Sequence, residues 1–176
     1  YMTAKLARKL PHMLLDARSN NRFGGKLSNL PESLGRDQIM RLEGDFNDHF
    51  TLYAPKGYET DALYVFTPDV MAALIDHGYA YDIEVVDDTL IFYSGYGIQL
   101  EKEEQLKRSL DILSKVSAEI LDQGSYYSDT RISDRPANLI AEPGRRLKKR
   151  IGIVTIITAV LIFAYAILNV VAGFSR

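Results

Sequence analysis

Ile83-Glu84-Val85-Val86-Asp87-Asp88-Thr89-Leu90-Ile91-Phe92-Tyr93 holds two runs rich in β-branched, leucine and aromatic residues around a short acidic break. Their spacing predicts an antiparallel hairpin turning at Asp87-Asp88-Thr89, although Asp-Asp is a less favourable turn than Asn-Gly. Upstream, Ala62-Leu63-Tyr64-Val65-Phe66 reads as a strand buried on both faces. Thr67 then caps a helix with Pro68 at its first position, Asp69 in its first turn and Gly78 as its stop. Downstream, Leu106, Leu110, Leu113, Val116, Ile120 and Leu121 recur at helical intervals, which predicts a helix from about Glu101 to Gln123, ended by Gly124. The fold class that results is α+β, a mainly antiparallel sheet with two principal helices, plus one C-terminal transmembrane helix.

At the N-terminus, Met2 to Ala17 reads as extended structure interrupted at Pro11, with His12-Met13-Leu14-Leu15-Asp16 as a short buried strand. Asp16 either pairs with Arg18 or caps the Ser19-Asn20-Asn21 turn, with a catalytic carboxylate as the minor third reading. Composition makes Ser19 to Lys26 a loop, places a second turn at Leu30-Pro31-Glu32, and makes Phe50-Thr51-Leu52-Tyr53 a strand. The organisation expected is a domain over 1–123, a polar tether with a basic flank over 124–150, and a membrane span over 151–174.

That span is the stretch from Ile151 to Phe174, 24 residues without Asp, Glu, Lys, Arg or His. As a helix it measures roughly 36 Å, enough to cross a bilayer with some tilt. Arg145, Arg146, Lys148, Lys149 and Arg150 precede it, and only Arg176 follows. This asymmetry places the N-terminal part on the cytoplasmic side of the cell membrane, with the basic run either a stop-transfer flank or a site for anionic lipid. The chain opens Tyr1-Met2 without an apolar signal segment, which reads as a piece of a longer polypeptide.

Residues 1–144 carry all 23 acidic residues and 15 of the 21 basic ones, a formal charge of −8. Such a surface repels nucleic acid, so the partners expected are the lipid bilayer and another membrane protein or a second copy of the chain. The absence of cysteine excludes disulfides, thiolate nucleophiles and Cys-ligated metals.

One segment gathers groups with catalytic potential. Glu43-Gly44-Asp45-Phe46-Asn47-Asp48-His49 makes Asp45, Asp48 and His49 metal candidates, and with them a metal-dependent hydrolase is the alternative function, although the EF-hand order is missing. Gly24-Gly25-Lys26 lacks the spacing of a phosphate loop, Gly95-Tyr96-Gly97 is a lone Gly-x-Gly, and no Gly-x-Ser-x-Gly occurs. No catalytic residue is assigned and no cofactor is implied. Of 11 tyrosines, Tyr58, Tyr79, Tyr81, Tyr126 and Tyr127 are candidates for a partner surface.

Leu10 to Ala17, the Ser19-Asn20-Asn21 turn, Leu42-Glu43-Gly44-Asp45-Phe46 with His49-Phe50, and Leu63 to Met71 together resemble an uncharacterised family of bacterial membrane proteins, a domain of unknown function common in high-GC Gram-positive bacteria. The resemblance covers roughly Lys5 to Tyr93. It implies an α+β domain attached to membrane helices, with no assigned enzyme activity and no functional residues to carry over. Members of the broader family are expected to place those helices upstream, whereas here the span lies downstream. The function expected is a membrane-anchored, non-enzymatic interaction or scaffold protein with a cytoplasmic domain, and one form of that role is a subunit of a larger membrane complex.

Overall fold

A computed structural model describes residues 1–21, 28, 34–95, 101–132, 138–149, 157–158 and 160–167. The hairpin expected over Ile83 to Tyr93 is instead half of a much longer pairing. Strand β1 (Met2–Ala17) runs antiparallel to one continuous strand, which contains both runs of the expected hairpin and the acidic break between them. Between the two come β2 (Ile39–Met40), the one-turn helix α1 (Phe46–His49), β3 (Phe50–Tyr53), α2 (Glu59–Val65) and α3 (Pro68–Ala73), which continues as a π turn over Leu74–Gly78. The continuous strand is β4 (Tyr81–Ser94), followed by α4 (Glu103–Ser125) and the short α5 (Glu142–Arg145). The sheet is antiparallel in the order β2-β3-β1-β4.

Asp87 does not turn the chain back; it bends the ladder. Its φ of 54° is left-handed, a conformation that an Asp side chain tolerates. Opposite it, β1 advances five positions from Lys5 to Leu10 while β4 moves two from Thr89 to Asp87. Pro11, which has no N–H to give, falls at the next irregularity, between Leu10 and Met13, so the strand passes through it unbroken. The acidic residues of the break find cations: Lys5 lies 2.6 Å from Asp88 and Arg146 lies 2.9 Å from Asp87. A two-strand hairpin gains none of this pairing along its outer edge.

The stretch Ala62-Leu63-Tyr64-Val65-Phe66 is also corrected, from a strand to the helix α2 and its C-cap, Phe66. Tyr58, Ala62, Val65 and Phe66 are buried while Leu63 and Tyr64 are 50% and 43% exposed. That is one face of a helix, with Glu59 and Asp61 in its first turn.

The helix opened by Thr67 and the long amphipathic helix form as expected. Thr67 accepts the Val70 N–H at 3.4 Å. Helix α4 buries Ser109, Val116, Ser117, Ile120 and Gly124, and leaves Leu110 in solvent. Gly124, expected to stop the helix, lies within its last turn: a Cβ there would stand 3.2 Å from Leu10, so glycine lets helix and sheet approach. Leu15, Leu52 and Ile83 oppose one another on the face that meets the helices and are fully buried.

The polar tether expected over 124–150 is overturned where the chain is described. Tyr127, Asp129, Ile140 and Leu147 are at most 7% exposed, and the segment packs back onto the domain. Most of the span expected over 151–174 lies outside the described residues, as do the Gly24-Gly25-Lys26 motif, the turn at Pro31, Gly97 and Arg150. Residues 157–158 and 160–167 are helical, and among the described residues no helix is long and apolar enough to cross a membrane.

Candidate functional site

Directly opposed residues of an antiparallel ladder point to the same side of the sheet. Asp16 opposes Thr51, and Leu14 opposes both Tyr53 and Glu84, so these side chains occupy the face turned away from the helices. Here a cavity of about 560 Å³ is lined by Asp16, Arg18, Ile39, Arg41, Asp48 and Tyr53 among others.

Asp16 is 2% exposed, and its Oδ1 is the one buried side-chain polar atom without a hydrogen-bond partner among the described residues. Burial pushes its carboxyl above the ordinary value, and the nearby charge of Asp82 adds to this against bonds from Ser28 and Asn21 and the charge of Arg18. Burial, and then the Asp16 charge, likewise raise the Tyr53 phenol. The bond from Asn21 agrees with the expected cap of the Ser19-Asn20-Asn21 turn but leaves Oδ1 unpartnered. Arg18 forms no ion pair with Asp16 within contact distance and instead donates from its guanidinium to the Asn47 carbonyl at 2.9 Å. The signal in the sequence was an acid inside the apolar run Met13-Leu14-Leu15-Asp16-Ala17.

The acidic segment is placed differently. Asp45, the exposed N-cap of α1, and the half-buried His49 stand 3.8 Å apart, while Asp48 lines the Asp16 cavity. Among the described residues no group of three or more His, Asp or Glu side chains is placed to hold a metal ion.

The basic flank is held by the domain almost to its end. Asp129 accepts from the Tyr58 hydroxyl at 2.7 Å, from the Ala141 N–H at 2.9 Å and from Arg131. Arg131 also lies 2.7 Å from Asp61 and 3.9 Å above the Tyr58 ring. Burial pushes Asp129 upward, but the N–H groups of Ala141 and Arg131, the Tyr58 hydroxyl and the Arg131 guanidinium together hold its pKa below the ordinary range. Further along, Arg145 donates to the Ile140 carbonyl and Arg146 pairs with Asp87. The Leu147 N–H donates to His12 Nδ1 at 3.0 Å, while His12 Nε2 lies 2.7 Å from Glu84. Since Nδ1 accepts, the ring proton is on Nε2 and is donated to Glu84. Lys148 and Gln38 exchange two bonds, at 2.7 and 2.8 Å, and Lys149 bridges to Leu34.

The tyrosines divide between core and surface. Tyr58 and Tyr127 are buried, with hydroxyls on Asp129 and Asp61, whereas Tyr79 and Tyr126 are 54% and 74% exposed. Tyr81 is half-buried, its hydroxyl 3.2 Å from Ser109.

Comparison of the chain with protein-family models, with curated proteins and with solved structures finds no match.

Proposed function

We propose that this chain is a membrane-anchored, non-enzymatic binding domain that faces the cytoplasm, seated close to the bilayer as a subunit of a membrane complex. The observation that carries the reading is the apolar helical segment described at 157–158 and 160–167. Ile157, Val160, Leu161, Ile162, Phe163, Tyr165 and Ile167 are each 47% to 69% exposed. A helix that is apolar on every side is stable only where lipid or protein covers it, because each exposed Å² of apolar surface costs about 25 cal/mol in water. The uncharged 24-residue stretch and the basic run before it favour lipid as the cover. The resemblance to a bacterial membrane-protein family agrees with an anchored α+β domain. Because the described chain is clasped as far as Lys149, the domain and the anchor move together under this reading.

The absence of cysteine makes the test clean. Lys107→Cys, at a position 73% exposed, gives a single thiol. In intact cells this thiol is expected to resist a membrane-impermeant maleimide and to react after lysis, with the chain remaining in carbonate-washed membranes. Release by carbonate contradicts the anchor, and labelling of intact cells contradicts the orientation.

A further inference from the structure

The Asp16 cavity is the place where the fold leaves an expensive interaction unfinished. An isolated buried carboxylate is costly, and the cost is recovered when a donor or cation reaches it. Among the described residues, four formal charges line the cavity: Asp16, Asp48, Arg18 and Arg41. Arg41 is exposed and makes no ion pair among the described residues. Ile39 and Tyr53 add apolar surface to the wall.

This set of groups selects among ligands. Among the described residues, a metal ion would meet two guanidinium groups and no third carboxylate. A plain anion would meet the Asp16 and Asp48 carboxylates, and a plain cation would leave Arg41 unpaired. A molecule carrying both an ammonium and a carboxylate leaves the balance of the wall unchanged while giving Asp16 and Arg41 each a partner.

We propose that the cavity binds a small zwitterion of the α-amino acid class, its ammonium bonded to the Asp16 carboxyl, its carboxylate held at Arg41 and its side chain against Ile39 and Tyr53. The Asp16 carboxyl, which lines the cavity, receives the ammonium protons, and the cation draws it into its ionised form. Binding above the ordinary carboxyl range therefore releases a fraction of a proton. The site stands independently of the membrane anchor.

Calorimetry on the full chain in detergent micelles tests this with three probes that share one alkyl chain: L-leucine, isoamylamine and 4-methylpentanoate. L-leucine is expected to bind, with heats that differ between buffers of different ionisation enthalpy, and the two single-charge probes to bind about tenfold more weakly or worse. Asp16→Asn is expected to weaken L-leucine by about tenfold or more without lowering the melting temperature, and Arg41→Ala, on the surface, to weaken it similarly. Three results would each overturn the proposal: no heat with L-leucine at about 10 mM, equal affinity for isoamylamine, or unchanged affinity in both variants. Bonding of Oδ1 to water alone gives the first of these.

Discussion

Asp16 and Asp129 are buried to nearly the same degree, 2% and 4% exposed, yet their surroundings push them in opposite directions. Asp129 accepts two backbone N–H groups, a phenol and a guanidinium, and its pKa is lowered. Asp16 keeps one oxygen unpartnered, and its pKa is raised. Burial is the largest single influence on both, so the difference lies in the donors supplied around each carboxylate. A carboxylate fully supplied with donors is a structural lock, and here it closes the segment after α4 onto α2. One left short of donors weakens the fold and stands ready for a ligand, the pattern expected where stability is exchanged for function.

The largest expected effect is on the lock. Asp129→Ala strands the Tyr58 hydroxyl, the Ala141 N–H and part of the Arg131 guanidinium, and is expected to cost on the order of 3 kcal/mol in denaturant unfolding of the full chain. A loss below about 1 kcal/mol would reduce the clasp to an ordinary surface contact.

Gly144→Ala probes the same lock from the other side. A Cβ at 144 would lie 2.4 Å from Tyr58 Cζ and 2.7 Å from its hydroxyl, so the ring or the segment must move. The expected cost is about 2 kcal/mol. Limited proteolysis between 126 and 149 should accelerate in step with it, and unchanged proteolysis would show the segment to be held elsewhere.

Asp16→Asn should act in the opposite sense, raising stability at pH 7 by about 1 kcal/mol. The sign follows from linkage. A raised folded-state pKa gives stability that is present below the unfolded value, near 3.8, and lost as pH rises through the folded value. The gain in the variant should therefore shrink toward pH 3.8, whereas Asp129, with its lowered pKa, contributes stability above 3.8 that is lost as pH falls through the folded value. Melting curves of wild type and Asp16→Asn over this range separate the two.

The smallest effect concerns the end of the clasped segment. Gln38→Ala removes the two bonds exchanged with Lys148 and is expected to cost about 1 kcal/mol. Amide exchange at Lys148 should quicken, and exchange unaltered there would mean that the segment is held without Gln38.

Local signals along the chain read true. Thr67-Pro68 caps a helix as its chemistry dictates, the α4 periodicity is real, and Phe50–Tyr53 is a strand. The failures have physical causes. Asp87-Asp88-Thr89 reads as a turn because its partners, Lys5 and Arg146, are distant in sequence. Ala62 to Phe66 looked like a buried strand because the anchor of its helical face, Tyr58, precedes the run. Asp129 and Arg131 sit in a segment polar enough to read as a linker, and nothing local reveals the clasp that they form. Of the candidate site, the anomaly was visible, an acid within Met13 to Ala17, but the cavity beside it is assembled by strand pairing.

One pH titration of the full chain, labelled with 13C at the aspartate side-chain carboxyls and followed by NMR, measures both sides of the comparison at once, with Asp16→Asn and Asp129→Asn assigning the two signals. Asp16 is expected to titrate above 3.8 and Asp129 below it, and addition of L-leucine to move the Asp16 midpoint downward while leaving that of Asp129 in place. An Asp16 midpoint at or below 3.8 without ligand would contradict the unfinished carboxylate on which the comparison rests.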